Sequence, residues 1–202
     1  MQLLDSLFRP FERYANALSA TAHGVVAAVS FSTFVGVIAL GFVPVSRQIE
    51  TSGYSTADLQ SATSRAEVDT ILQGLEPVMD SVRVLSVLDY VFIVAGFLMF
   101  FSLHSVVLKT LAPHDRLVLV PKIGMALTVV SRLLDSLENF WVILIYTNPN
   151  DYPTILIGLM NISETLKWIV VGVEYPTLGI AILLAVLTQF TSVFTPRSEG
   201  SQ

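Results

Sequence analysis

Four long apolar stretches, at 21–43, 84–108, 117–147 and 154–192, alternate with shorter polar segments along the chain. At about 1.5 Å per helical residue, each can cross roughly 30 Å of hydrocarbon. The pattern predicts an all-α, polytopic membrane helix bundle with four transmembrane helices. An outer loop over 44–83, a cytoplasmic loop over 109–116, an outer turn over 148–153 and a tail over 193–202 complete the division.

Two shorter helices are expected outside the spans. Over 1–20, Leu3, Leu4, Leu7, Phe8, Phe11, Tyr14 and Leu18 recur at helical spacing, with Asp5, Arg9, Glu12 and Arg13 mostly on the other side. This is the pattern of an amphipathic interfacial helix, which Pro10 is expected to bend or restart. Mixed charges and a long following apolar run do not fit a cleaved signal, so the segment is expected to stay attached. In the outer loop, Ser64 and Glu67 have capping-box spacing before Val68, Ile71, Leu72 and Leu75, predicting a short helix over 65–75 that Gly74 and Pro77 end.

The tight Asn148-Pro149-Asn150-Asp151 turn makes the third and fourth spans antiparallel neighbours. Pro176 interrupts the last apolar stretch. Either a long fourth helix kinks there and protrudes, or residues 177–192 form a fifth membrane segment. The four-span reading is favoured, because a fifth segment would need an almost residue-free turn.

Charges stand inside these stretches: Arg132, Asp135, Glu138 and Asn139 in the third, Asn161, Glu164 and Lys167 in the fourth. Ionisable groups in a bilayer are costly and normally pair or line a pathway. Folding the hairpin about residue 150 brings Asp135 level with residue 165, between Glu164 and Lys167, and Arg132 near Trp168. An interhelical network at mid-membrane follows, with Arg132 and Lys167 cancelling Asp135 and Glu164 in a structural clamp. Glu138 lacks an obvious cation at its depth, which leaves it to be protonated, to bind a cation, or to face a wet cavity or a partner.

A second pattern lies in the first span, where Gly24, Ala28, Ser32 and Gly36 set small side chains every four residues. Such a stripe lets another helix approach closely, either from the same chain or from a second protomer. His23 and His104 both fall toward the cytoplasmic side, and two imidazoles at similar depth are candidate haem ligands, although no surrounding motif supports them. No other metal site and no particular cofactor is indicated.

Composition agrees with the membrane reading: 53% of residues are hydrophobic, 13% are charged and mean hydropathy is +0.68. A net charge of -5 and the lack of any Lys/Arg run set nucleic acid aside. With no cysteine there are no disulfides, thiolate metal sites or cysteine nucleophiles. A phosphate-cradling glycine loop, an HExxH helix and a GxSxG turn are likewise missing.

Arg9, Arg13, Lys109, Arg116, Lys122 and Arg197 fall on one side of the four-span plan, with Arg47, Arg65 and Arg83 spread over the long loop opposite. The positive-inside rule then places both termini in the cytoplasm, and Tyr146 and Tyr152 mark the outer interface. The function expected is non-catalytic: an assembly or accessory subunit of a membrane complex or a homo- or hetero-oligomer, docking through the small-residue stripe and the amphipathic arms. The alternatives are a small proton- or cation-coupled transporter or channel component using Glu138, Asp135 and Glu164, and a haem-binding or lipid-modifying membrane protein.

Overall fold

The apolar stretches fold as helices longer than the hydrocarbon they need to cross. A computed structural model describes residues 2–114 and 116–194, and among them every regular element is helical. Helix α1 spans Gln2–Ala17 and α2 spans Ala20–Gly36; a π-helical turn, Val37–Phe42, leads into α3, Val43–Glu50. Helices α4 (Thr56–Ser61) and α5 (Arg65–Leu75) follow, then a 3-10 turn at Glu76–Val78, α6 (Met79–Leu111), α7 (Leu119–Thr147) and α8 (Ile155–Phe194). Three stretches are long and apolar enough to cross a membrane: Ala20–Glu50, Arg65–Leu111 and Ile155–Thr191.

Helix α6 is central, packing against α1, α2, α3, α7 and α8, while α7 and α8 pair along their length. The tight turn after Thr147 makes that pair antiparallel, as its residues imply. Apolar plugs close the bundle at both ends. At the loop end, Leu59, Val68, Ile71 and Leu75 of α4 and α5 are buried with Ile145, Tyr152 and Met160 at the tip of the α7–α8 hairpin. At the other end, Ala15 and Phe11 of α1 pack with Phe101, Leu108 and Met125. Part of the apolar face of α1, through Phe8, Phe11 and Ala15, is therefore spent on its own bundle, where Phe11 and Tyr14 meet the Phe101 ring at 5.9 Å and 4.9 Å. Glu12 also pairs with Lys122 of α7.

Several elements differ from expectation in extent. Helix α1 runs unbroken through Pro10, which costs one backbone hydrogen bond on an exposed face. The first span does not end near residue 43. Val43 donates to the carbonyl of Ile38, five residues back, and this wider turn just before Pro44, which has no amide hydrogen, carries the helix on to Glu50. Helix α8 continues through Pro176 to Phe194, so no fifth segment turns back into the bundle. Beside the carbonyl of Gly172, which Pro176 leaves without its amide partner, the Thr177 hydroxyl donates to Val173 at 2.7 Å.

The expected loop helix has the bounds Arg65–Leu75, with the Ser64 hydroxyl accepting from the Glu67 amide at 3.3 Å. The Glu67 carboxylate reaches one residue further back than a strict capping box, to the Thr63 amide at 2.9 Å. Helix α4 was not expected; Ser55 and Asp58 form its own capping box. The Ser55 hydroxyl and amide, both donating to Asp58, hold that exposed carboxyl below its ordinary pKa.

Long-range polar latches hold the loop to the hairpin tip. Arg65 donates to the carbonyls of Asn150 and Tyr152 and lies 4.8 Å from the centre of the Tyr152 ring. The Tyr152 hydroxyl donates to Asp69 at 2.8 Å. Asn161, grouped with the charge network by sequence, instead gives its amide to the Ala62 carbonyl at the end of α4, at 2.9 Å.

Burial and the hydrogen bond to Asp69 push the Tyr152 phenol up to about 12. Because the folded pKa exceeds the value of about 10 in an unfolded chain, the stabilisation is complete below that value and disappears as pH rises from there through the folded pKa. Tyr152→Phe is expected to cost about 1 kcal/mol at neutral pH. The same variant should lose the extra alkaline destabilisation, as read by thermal unfolding in detergent across a pH series.

Candidate functional site

Between the two apolar plugs lies a layer of charge. Thr128, Ser131, Arg132, Asp135, Glu138, Asn139 and Val142 recur on α7 at the three- and four-residue steps of one helical face, and all are buried. That face meets α8 on one side and α6 on the other.

The pairing holds, with changes of partner. Lys167 Nζ lies 3.2 Å from Asp135 Oδ1, close to the expected register, and 2.5 Å from Glu138 Oε2. Glu138 therefore does have a cation, contrary to expectation: it stands one turn from Asp135, and the long Lys167 side chain reaches both. Arg132 meets neither Trp168 nor Glu164. It lies 3.9 Å from Asp135 and 3.8 Å from Glu174, a residue passed over in the sequence. Glu164 is only half-buried and makes no ion pair or hydrogen bond among the described residues, so it does not form the expected clamp.

Glu174 is fully enclosed, at 0% exposure, and accepts hydrogen bonds from Thr128 at 2.9 Å and Ser131 at 2.7 Å. It lies two residues before Pro176, where the sequence analysis places the kink of the fourth helix. The signal that could have found it is the seven-residue step from Lys167, which puts both on one face of α8. The Arg132 guanidinium also lies 5.4 Å from the centre of the Phe100 ring, which stacks on Tyr175. Gly96 of α6 lies against it, where a Cβ would stand 3.4 Å from the guanidinium carbon, an ordinary contact. On α6, the half-buried Asp89 lies beside Asn139 and within electrostatic range of Asp135 and Lys167.

The balance of charge is thus not the neutral one expected. Two cations, Arg132 and Lys167, share the buried layer with three buried carboxylates, Asp135, Glu138 and Glu174.

The histidines are held by different neighbours. His23 Nε2 donates to the Ala15 carbonyl at 3.1 Å and its ring lies 5.5 Å from Tyr14, so it ties α2 to α1. His104 is fully buried against α7, with neither ring nitrogen hydrogen-bonded, and a Cβ on Gly124 would overlap its ring. Among the described residues, no group of three or more His, Asp or Glu side chains is placed to hold a metal ion.

The small-residue stripe faces away from the chain. Helix α2 packs on α6 through His23, Ala27 and Ser30, with Phe34 stacked on Phe92 at 4.1 Å. Gly24, Ala28 and Ser32 are exposed, Gly36 is half-buried, and a Cβ at Gly24 or Gly36 would touch nothing.

Comparison with family models, curated proteins and solved structures finds no match to this chain.

The closeness of His104 to Gly124 generates a test of the α6–α7 contact. Gly124→Leu is expected to destabilise the bundle by about 1–3 kcal/mol through overpacking. His104→Ala introduced alongside it should restore most of that loss, as measured by thermal unfolding of the single and double variants in detergent.

Proposed function

We propose that this chain is a four-span, multi-pass membrane protein that acts as a non-catalytic assembly or accessory subunit, docking through the outward face of α2. Helix α7 is the fourth span in this reading. Lys122, Arg132, Asp135 and Glu138 make it too charged to qualify on composition, but the last three lie on its buried face between α6 and α8. Helix α1 and the α6–α7 connection share one end of the bundle, tied by Glu12 and Lys122, and Arg9, Arg13, Lys109, Arg116 and Lys122 gather there. The positive-inside rule supports placing that end, and both termini, in the cytoplasm.

The observation that carries the docking role is the exposure of Gly24, Ala28 and Ser32 on an apolar helix whose other face is already packed on α6. Lipid tails are as apolar as Leu, so helices associate in a bilayer mainly where small residues let backbones approach. The amphipathic faces of α1 and α5 are occupied within the bundle, which leaves α2 as the docking element. The surplus buried carboxylate favours a second reading, a proton- or cation-coupled transporter component. Its mark would be a potential-driven flux in vesicles that Glu138→Gln abolishes.

The chain has no cysteine, so single thiols report the docking face directly. In native membranes, Ala28→Cys and Ser32→Cys are expected to form oxidative cross-links to a second polypeptide, whether another copy or a different protein. Val29→Cys should not, and Gly36→Ile combined with Ala28→Cys should suppress the cross-link. Monomeric behaviour of all these variants, with no cross-linked product, would overturn the docking role.

A further inference from the structure

The buried layer has two poles. At one, Arg132 faces Glu174, whose two oxygens also accept from Thr128 and Ser131. Here one cation meets a carboxylate that also has two hydroxyl donors. At the other, a single ammonium group on Lys167 serves both Asp135 and Glu138, with Asp89 of α6 close by. Arg132 stands between the poles, 3.9 Å from Asp135 and 3.8 Å from Glu174, so two cations serve the three buried carboxylates and one negative charge is left over. Glu164, on the α8 side of Glu138, adds negative potential and no cation. The remaining polar group nearby, the Tyr90 hydroxyl on α6, is engaged with the Ser136 carbonyl at 3.3 Å.

A net negative charge in a low-dielectric interior is costly, and the usual remedy is to neutralise it with a proton or a bound cation. The donor set favours the proton. A metal ion needs several oxygen ligands converging on one point at similar distances. Among the described residues no such group exists, and the Lys167 ammonium already occupies the space between Asp135 and Glu138. Hydrogen bonding in the layer is unfinished: the buried Asn139 Nδ2, on the face of α7 that carries Asp135 and Glu138, has no well-aligned partner, and neither have Arg132 Nε and Nη2, while Glu138 is 1% exposed.

We propose that the bundle interior is a proton-binding site, in which the Lys167 pole holds one exchangeable proton among Asp89, Asp135 and Glu138. The step is simple: a carboxylate oxygen forms an O–H bond, no other bond breaks, and the charge of the layer rises by one. Since Asp89 belongs to α6 while Asp135, Glu138 and Lys167 belong to the α7–α8 pair, gain or loss of the proton acts on the seam between them. The site is independent of docking by α2, and failure of either leaves the other standing.

Infrared difference spectroscopy of the protein in lipid nanodiscs tests this, with spectra taken across a pH series and in light and heavy water. The expected result is a carbonyl stretch of a protonated carboxylic acid that shifts on deuteration. It should vanish in at least one of Glu138→Gln, Asp89→Asn and Asp135→Asn, persist in Glu164→Gln and Glu174→Gln, and be unchanged when potassium replaces sodium. Absence of the band from the wild-type protein at every pH would overturn the proposal. So would a band lost only in Glu174→Gln or Glu164→Gln, or one that appears only when sodium is removed. Thermal unfolding adds a readout that does not depend on the band. Glu138→Gln removes a surplus charge and should leave stability unchanged or raised, whereas Lys167→Gln should lower it strongly. Equal losses in the two variants, or failure of only Glu138→Gln to fold, would mean that the layer is balanced without the proton and would also overturn the proposal.

Discussion

The contact on which the rest of the structure depends is that of the Lys167 ammonium with Asp135 and Glu138 across the α7–α8 interface. A charge in a low-dielectric interior is costly unless it is paired, so each helix gains from the charges of the other. Brought together, each supplies what the other lacks, and the spacing of the charged groups along both helices fixes their register. Apolar side chains alone would let the two rods slide past each other, since one Leu or Ile is much like the next to a lipid tail. The polar layer removes that freedom. Helix α6 then closes the open side, with Gly96 against Arg132 and Asp89 lying beside Asn139.

The apolar ends of the bundle do different work. At the loop end, α4 and α5 fold back over the hairpin tip and bury Leu59, Val68 and Leu75, so a segment rich in Ser, Thr and Asp is ordered by a modest core of its own. Arg65, Tyr152 and Asn161 then hold it there with bonds to backbone carbonyls and to Asp69. At the other end, α1 supplies the cover and His23 makes the corner. The polar layer is thus shielded above and below, as low-dielectric electrostatics requires.

Much of this architecture was legible in the sequence because lipid imposes simple rules. The tight turn at Asn148-Pro149-Asn150-Asp151 and the capped helix over 65–75 each rest on a local signal and appear where expected, and the apolar stretches fold as helices, the first two with longer bounds than read from the sequence. The charge pairs were legible only to within about a turn. Lys167 does face Asp135, but the partner of Arg132 is Glu174, because long side chains reach past the level at which their backbones stand. Glu138 was misjudged for the same reason. Proline was overrated in α1, where the helix runs unbroken through Pro10, whereas Pro176 lies within one long α8, as favoured. Whether the small-residue stripe would face inward or outward could not be read from α2 itself, since His23, Ala27 and Ser30 offer a second narrow face that α6 takes instead.

The uneven distribution of charge between the two hairpin helices bears on biogenesis. Helix α8 is apolar enough to leave the insertion machinery for the lipid by itself, whereas α7 carries Arg132, Asp135 and Glu138 close to its midpoint, and such residues each add about 2.5–3.5 kcal/mol to the insertion free energy. Synthesis delivers α7 first. On the proposed four-span reading, α7 waits at the protein-lined exit until Lys167 and its helix emerge, and the two partition as a preassembled hairpin. Crossing the membrane and forming the central ion pairs would then be a single event.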